Sequence, residues 1–316
     1  MKKTTNEKIE AMKEQTFGVE IEMNRITRHN AAAAAAKYFG TNNFSYTAYR
    51  NGYDTWSAWD AQGREWKFQR DVSIAGPSDQ KCEMVTPILK YTDMDTLQEL
   101  CRVMRRNGAQ SDADRGCGIH IHIGADGHNA QTLRNLTNIM AAHEDILVQA
   151  LKISSSRTFH YCKTVDPRFL SQINSVKPTT MTELARVWYG SQNATSGQTE
   201  HYNSSRYHML NLHATFTKGT IEFRLFEFQK PTNGRRCGIH AGAIKAYVQL
   251  CLALSQMAKD AKSANPTKPQ VANPKYAMRT WLLRLGFIGD EFATARDILT
   301  RNLPGDAAFR YGRRSA

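Results

Sequence analysis

Five short stretches of the chain alternate apolar residues with residues able to hold a metal ion or a phosphate. They are Phe17-Gly18-Val19-Glu20-Ile21-Glu22-Met23, Cys82-Glu83-Met84-Val85, Ile119-His120-Ile121-His122-Ile123, Leu210-Asn211-Leu212-His213 and Ile221-Glu222-Phe223-Arg224-Leu225. Side chains of a strand point to alternate faces. Val19 and Ile21, the three isoleucines, and Ile221, Phe223 and Leu225 are therefore predicted to pack into a core, while Glu20, Glu22, His120, His122, Glu222 and Arg224 point the other way. The solvated side of an antiparallel sheet alternates in the same manner, but it usually carries Thr, Lys, Ser and Gln. Glutamates two apart on one strand crowd like charges, which is unfavourable unless cations lie between them. The pattern predicts a metal site.

Between these strands the period changes to that of helices. Asn30 reads as the cap of a helix running through Ala31–Ala36. Asp93 to Arg106 carries Leu97, Leu100, Cys101 and Met104 at helical spacing and stops at Asn107-Gly108. Thr132 to Leu151 is a longer amphipathic helix, Thr180 and Glu183 form a capping box ahead of Leu184, Val187 and Trp188, and Ile239 to Met257 is helical again. From Thr41 to Arg70, Trp56, Trp59 and Trp66 stand among Tyr, Gly and Asn, as in a hairpin or loop region; these aromatics could line a nucleotide or substrate pocket, or fill core. The polar run from Gly190 to Ser205 reads as a mobile loop able to close over a substrate. Two Asn-Pro steps and a third proline between Ala264 and Pro274 mark a linker. The expected organisation is a catalytic region over residues 1–263, followed by a linker and a basic helical region over 264–316 that packs on the same domain.

Composition narrows the class. At 316 residues, 41% hydrophobic and 22% charged, the chain is long enough for a large core, and it has no apolar run able to cross a bilayer. Met1 to Gln15 lacks the apolar centre of a secretory signal, so cytoplasmic residence is expected. Six cysteines (Cys82, Cys101, Cys117, Cys162, Cys237 and Cys251) contain no C-x-x-C pair and sit mostly in apolar segments, which suits reduced thiols. The net charge is +13, and residues 225–316 hold 15 Lys or Arg against 6 Asp or Glu. Nucleic acid is a possible partner of that excess, but no basic motif with interleaved aromatics accompanies it; a solvated basic surface or a polyanionic substrate accounts for it better. No coiled-coil pattern points to an oligomeric state.

Carboxylates with an imidazole, spread over several strands, suit hard cations such as Mg2+ or Mn2+ that prefer oxygen ligands and leave places for phosphate. Arg224, two residues after Glu222, would share its face. A guanidinium there is well placed to hold a transferred phosphoryl group, which leans towards ATP chemistry.

The order of these motifs resembles the amidoligase family, a carboxylate-amine ligase group related to glutamine synthetase and glutamate-cysteine ligase. The residues that carry the resemblance are Phe17 to Glu22, Asp71-Val72-Ser73 with Glu83-Met84-Val85-Thr86-Pro87, Cys117 to His122, Arg206-Tyr207 with Asn211-Leu212-His213, and Gly219 to Arg224. Each motif is short, and five in order are fairly specific. The resemblance implies an α+β fold: a curved antiparallel sheet of the glutamine-synthetase catalytic type with helices packed on its back and ATP on its open face. It implies that ATP phosphorylates a substrate carboxylate and that an amine then displaces the phosphate. By position, Glu20, His120 and Glu222 look like ligands of the metal nearest the γ-phosphate, Glu22 and Glu83 like ligands of a second metal, and Arg224 like the arginine that steadies the phosphoryl group. Asn211, His122, His213 and Arg206 fall where they would touch ATP or substrate, or orient a ligand-bearing neighbour. One departure is Ile74, which stands where glutamate-cysteine ligases commonly carry a further acidic residue; Asp71 and Ser73 read as a turn.

The expectation is an ATP-dependent ligase joining a carboxylate and an amine borne by small molecules, peptides or proteins. The alternatives are a metal-dependent hydrolase built on His-x-His, and a non-catalytic basic nucleic-acid-binding or structural protein on the same fold.

Overall fold

The computed structural model describes residues 4–48, 52–190, 197–198, 200, 202–229 and 238–311. In chain order the elements are α1 (Thr5–Lys13), β1 (Phe17–Met23), α2 (Arg28–Tyr38), β2 (Phe44–Tyr46), β3 (Trp56–Trp59), β4 (Glu65–Gln69), β5 (Cys82–Val85), α3 (Met94–Arg106), β6 (Ile119–Gly124), α4 (Ala130–Leu151), α5 (Ser155–His160), α6 (Pro167–Val176), α7 (Met181–Tyr189), β7 (Leu210–Asn211), α8 (His213–Lys218), β8 (Thr220–Phe226), α9 (Ala241–Asp260), α10 (Pro274–Arg284) and α11 (Ala293–Thr300). They fall into two compact units. A strand-rich unit comprises Thr16–Ile121 with Phe226–Lys245, and a helix-rich unit comprises Met1–Gln15, His122–Leu225 and Ala246–Ala316. The chain passes from one to the other inside β6, between Ile121 and His122.

In the strand-rich unit the strand order is β2-β3-β4-β5-β1-β6, with antiparallel pairing from β2 through to β1. Register assigns the two faces. Ile21, Met84, Phe68, Trp56 and Tyr46 lie opposite one another across five strands, as do Trp66, Ala58 and Phe44. Ile21, Met84, Phe68, Trp66 and Ala58 are fully buried. On the opposite face one row runs Glu20, Val85, Lys67, Ser57 and the next runs Glu22, Glu83, Gln69. The sequence alternation thus separates the core from the polar face.

The alanine run is what lets a helix seat closely on this core. α2 packs against β3 and β4, and Ala31, Ala32, Ala35 and Ala36 are fully enclosed, the i, i+1, i+4, i+5 rhythm of one helical face. Its cap is Thr27, whose hydroxyl accepts the Asn30 N–H at 3.1 Å, rather than Asn30 itself. Thr27 is extended while Arg28 to Asn30 are already helical, so the helix begins three residues before the first alanine.

Trp66 belongs to the core, not to a pocket. Its indole donates to the buried Asp60 at 3.0 Å, which also accepts from Arg64 Nε at 2.8 Å and from the Gln62 and Arg64 backbone amides. Burial raises the Asp60 carboxyl, but these donors outweigh it and hold the pKa below the usual carboxylate value. Arg64 forks onto Asp93 at 2.9 and 3.0 Å, tying the β3–β4 hairpin to the start of α3. Arg28 likewise donates to the carbonyls of Ser78 and Lys81 at 2.9 and 2.7 Å and pairs with Asp54, fixing the entry to β5.

In the helix-rich unit the order is β6-β8-β7, with Leu210 opposite Phe223 and Asn211 opposite Glu222. α4 is the long buried helix. The coil after α9 stays with it: Asn138 donates to Ala264 O at 2.9 Å, and Asn302 to Ala150 O at 2.9 Å. A buried polar chain joins α1 to α9, in which Gln15 donates to Leu252 O at 3.0 Å and accepts from Ser255 Oγ at 2.5 Å. Among the described residues no helix is long and apolar enough to cross a membrane. The five described cysteines are buried free thiols; Cys237 and half of the polar run from Gly190 to Ser205 lie outside the described residues.

Ala35→Leu would overfill the space between α2 and the sheet and cost about 1–3 kcal/mol, while Ala33→Leu, on the half-exposed side, would change stability by less than about 0.5 kcal/mol. Urea denaturation of the two variants checks this, and equal losses would refute the close seating.

Candidate active site

The polar face of the strand-rich unit gathers four carboxylates and an imidazole. Register sets Glu22 directly opposite Glu83. Glu20 Oε2 lies 3.1 Å from His120 Nδ1, and one ligand atom each from Glu20, Glu83 and His120 lie within 4.8 Å of one another. Glu22, Asp71 and Glu83 satisfy the same limit, so Glu83 is common to both groups. Glu22, Glu83 and His120 are buried. Few donors relieve the charge: the Gly118 N–H donates to Glu22 Oε2 at 2.5 Å, and Gln69 Nε2 donates to Glu83 Oε2 at 2.7 Å. The Glu83 carboxyl is consequently held well above its ordinary value, first by burial, then by the charges of Glu20, Glu22 and Asp71, with Gln69 opposing.

A divalent cation among these oxygens would remove that repulsion. The oxygen-rich donor set with one imidazole nitrogen fits Mg2+ or Mn2+ better than a thiolate-seeking metal.

Asp71 reaches this group from a braced turn. Its Oδ1 accepts the Ser73 N–H at 2.7 Å, as a turn residue does, and its carboxylate still joins Glu22 and Glu83. The turn rests on the lead-in to β6: Ala75 N–H bonds to Arg115 O at 2.8 Å. Gly116 beside it has φ +66° and would place an added Cβ 2.8 Å from Ser73 O. Only glycine meets both demands. Ile74 is buried.

The helix-rich unit holds a second group, and its charges are matched internally. Glu222 Oε1 accepts from Arg224 Nη1 at 2.5 Å and Oε2 accepts from Asn211 Nδ2 at 2.6 Å. His122 Nε2 lies 4.0 Å from Glu222, and its Nδ1 is 2.9 Å from the Thr220 hydroxyl. Arg224 is 8% exposed, and its guanidinium stands 5.8 Å from the Tyr207 ring centre. Arg206 lies over the same ring at 5.1 Å and over Tyr202 at 5.0 Å.

His213 is not on the strand face where the alternation places it. β7 ends at Asn211, Leu212 is already helical, and the Asn211 side chain accepts the His213 N–H at 2.9 Å. α8 therefore starts at His213, whose Nδ1 meets the Tyr189 hydroxyl at 2.5 Å. Burial pushes that phenol up to about 12.

Sequence reasoning missed Gln69 and Tyr189, named Tyr207 and Thr220 only within motifs and without a role, and read Asp71 only as a turn. Gln69 had a signal: Glu65, Lys67 and Gln69 alternate with Trp66 and Phe68. Tyr189 had none, since a helix end is brought to α8 by tertiary packing.

At pH 8 in EDTA, Glu83→Gln should be more stable than the wild type by on the order of 1 kcal/mol. With its folded pKa raised, Glu83 supports the fold fully below the ordinary carboxylate pKa and loses that contribution as pH rises through the raised value. Mn2+ should stabilise the wild type and not the variant. A variant less stable than the wild type in EDTA would contradict the crowding.

Residues 13–255 match the family described as "putative amidoligase enzyme". No curated protein matches the chain. Among solved structures, a bifunctional glutathione synthetase from Pasteurella multocida aligns with a TM-score of 0.48 and 13% identity, covering 94% of this chain and 49% of that one. The chain thus spans about half the length of that enzyme, and the likeness is too low to speak for fold or activity.

Proposed function

Because the chain belongs to the amidoligase family, we propose that it is an ATP-dependent carboxylate-amine ligase. It would form an amide or peptide bond through an acyl phosphate, on a sheet of the glutamine-synthetase catalytic type. The observation that carries this reading is the crowding of Glu20, Glu22, Asp71 and Glu83 with His120. That arrangement has a large electrostatic cost without cations and fits a site for metal-bound phosphates.

Mg2+ or Mn2+ would be held by Glu20, Glu22, Glu83 and His120 and would neutralise phosphate oxygens so that a carboxylate can approach. Asp71 adds a carboxylate oxygen and so makes up for Ile74. Gln69 and the Gly118 N–H hold the Glu83 and Glu22 carboxylates in orientation. Arg224, buried and steadied by Glu222, offers a fixed guanidinium to the transferred phosphoryl group. Asn211 keeps Glu222 oriented, His122 contributes to the nucleotide side, and Arg206 presents a guanidinium suited to a substrate carboxylate. His213, fixed by Tyr189, is a candidate to take the proton released when the amine attacks. The amine and carboxylate are small molecules, peptides or proteins. Buried free thiols support a reducing, cytoplasmic setting.

Calorimetric titration with a non-hydrolysable ATP analogue should show magnesium-dependent binding that EDTA and Glu20→Gln both abolish. Arg224→Ala and Glu222→Gln should lower ADP release by roughly 100-fold or more while keeping the circular-dichroism spectrum and melting of a folded protein. Unchanged ADP release in either variant, or no nucleotide binding with magnesium, would overturn this reading.

A further inference from the structure

One cation on the carboxylate-bearing face of the strand-rich unit has no role in the reading above. Lys67 lies in the middle of β4, between Trp66 and Phe68, which are fully buried in the core, so its own side chain leaves the sheet on the polar face. Register sets it directly opposite Val85, which is itself opposite Glu20, and on its other side opposite Ser57. With neighbouring strands about 4.8 Å apart, the Lys67 and Glu20 backbones are separated by roughly 10 Å. Glu83 stands diagonal to Lys67 across the β4–β5 pair, at roughly 7–8 Å. A four-carbon stem covers much of either gap.

Three carboxylates surround this ammonium, and each is turned to another partner. Glu65, two residues back on the same strand, accepts from Ser57 Oγ at 2.7 Å. Glu83 accepts from Gln69 at 2.7 Å, and Glu20 meets His120 at 3.1 Å. No carboxylate among the described residues pairs with Lys67. Beyond it the face is closed, because Thr47 and Ser57 are buried and joined to each other at 2.7 Å. The half-buried Lys67 therefore stands at the border between that hydroxyl network and the carboxylates that would hold a metal.

An ammonium left without a counter-charge beside such carboxylates is suited to an anion that arrives together with the cation. Phosphate and carboxylate both have the charge. The compact point charge of a lysine is a phosphate binder, whereas planar recognition of a carboxylate favours the fork of an arginine. A triphosphate also extends several ångströms past its metal-bound oxygens, in keeping with a cation set one strand away from Glu83.

We propose that Lys67 binds the phosphate chain of the nucleotide beside the metal-bound oxygens. This rests on the ligase reading and adds to its metal ligands a residue that touches the nucleotide directly.

The test compares two titrations of the full chain at low ionic strength, one with Mn2+ alone and one with Mg2+ and a non-hydrolysable ATP analogue. Lys67→Met should weaken binding of the analogue about tenfold or more and bind Mn2+ roughly twofold tighter, since a positive charge near the carboxylates is removed. Lys67→Arg should keep the analogue within a few-fold of the wild type. Lys37→Gln, at an exposed position on α2, should change neither titration. A purely structural role would weaken both titrations together, and that result would overturn the proposal. So would unchanged analogue affinity in Lys67→Met, or an equal loss in Lys37→Gln, which would reduce the effect to net charge. Should the wild type bind Mn2+ but no nucleotide, the ligase reading falls and this inference with it, an outcome distinct from wild-type binding that Lys67→Met leaves untouched.

Discussion

Repulsion between like charges on one sheet face is the constraint around which the strand-rich unit is arranged. The β1–β5 register that sets Ile21 against Met84 in the core also sets Glu22 against Glu83 on the other side. The two outcomes cannot be separated, because a slip of one residue would invert both faces. Apolar packing therefore holds the carboxylates together against their own repulsion. The close seating of α2, the Arg28 bonds that fix the entry to β5 and the Asp60–Arg64–Asp93 network all hold strands in that register. Cross-strand pairs of glutamate cost only a fraction of what burial of the Ile21, Met84 and Phe68 row returns, so the core decides the arrangement.

The helix-rich group follows the opposite electrostatic logic. Glu222 is met on both oxygens, by Arg224 and by Asn211, and the pair is buried without net charge. Such a pair is fixed in place, and removing either partner strands the other. A rigid guanidinium is what phosphoryl stabilisation requires, since reorientation during the reaction would forfeit most of the electrostatic benefit. One group is poised by partly relieved charge and the other by a matched ion pair.

Period-two alternation made β1, β5, β6 and β8 legible, together with Glu20, Glu22, Glu83, His120, His122, Glu222 and Arg224, because burial on one face imposes the pattern directly. It failed at His213. Leu210-Asn211-Leu212-His213 alternates as well as any strand, but four residues are too few to distinguish a strand from a strand end that turns into a helix, and the Asn211 side chain captures the His213 amide. Asp71 was legible only as a turn because its second role depends on where that turn is pressed, which no local pattern encodes. Gln69 lay in a readable alternation but is a residue type that any solvated face carries. Tyr189 became visible only through packing, and the cap of α2 moved from Asn30 to Thr27 because more than one residue of its lead-in was able to cap.

The brace beneath Asp71 gives Gly116 an influence beyond its own position. It contributes no atom to the carboxylate group, yet it sets where the 71–76 turn can lie. Cation affinity in such an arrangement is partly a property of loop backbone. It can drift over evolutionary time through changes around Arg115 and Gly116 while every liganding side chain stays the same, so related chains with identical ligands need not share a preferred metal.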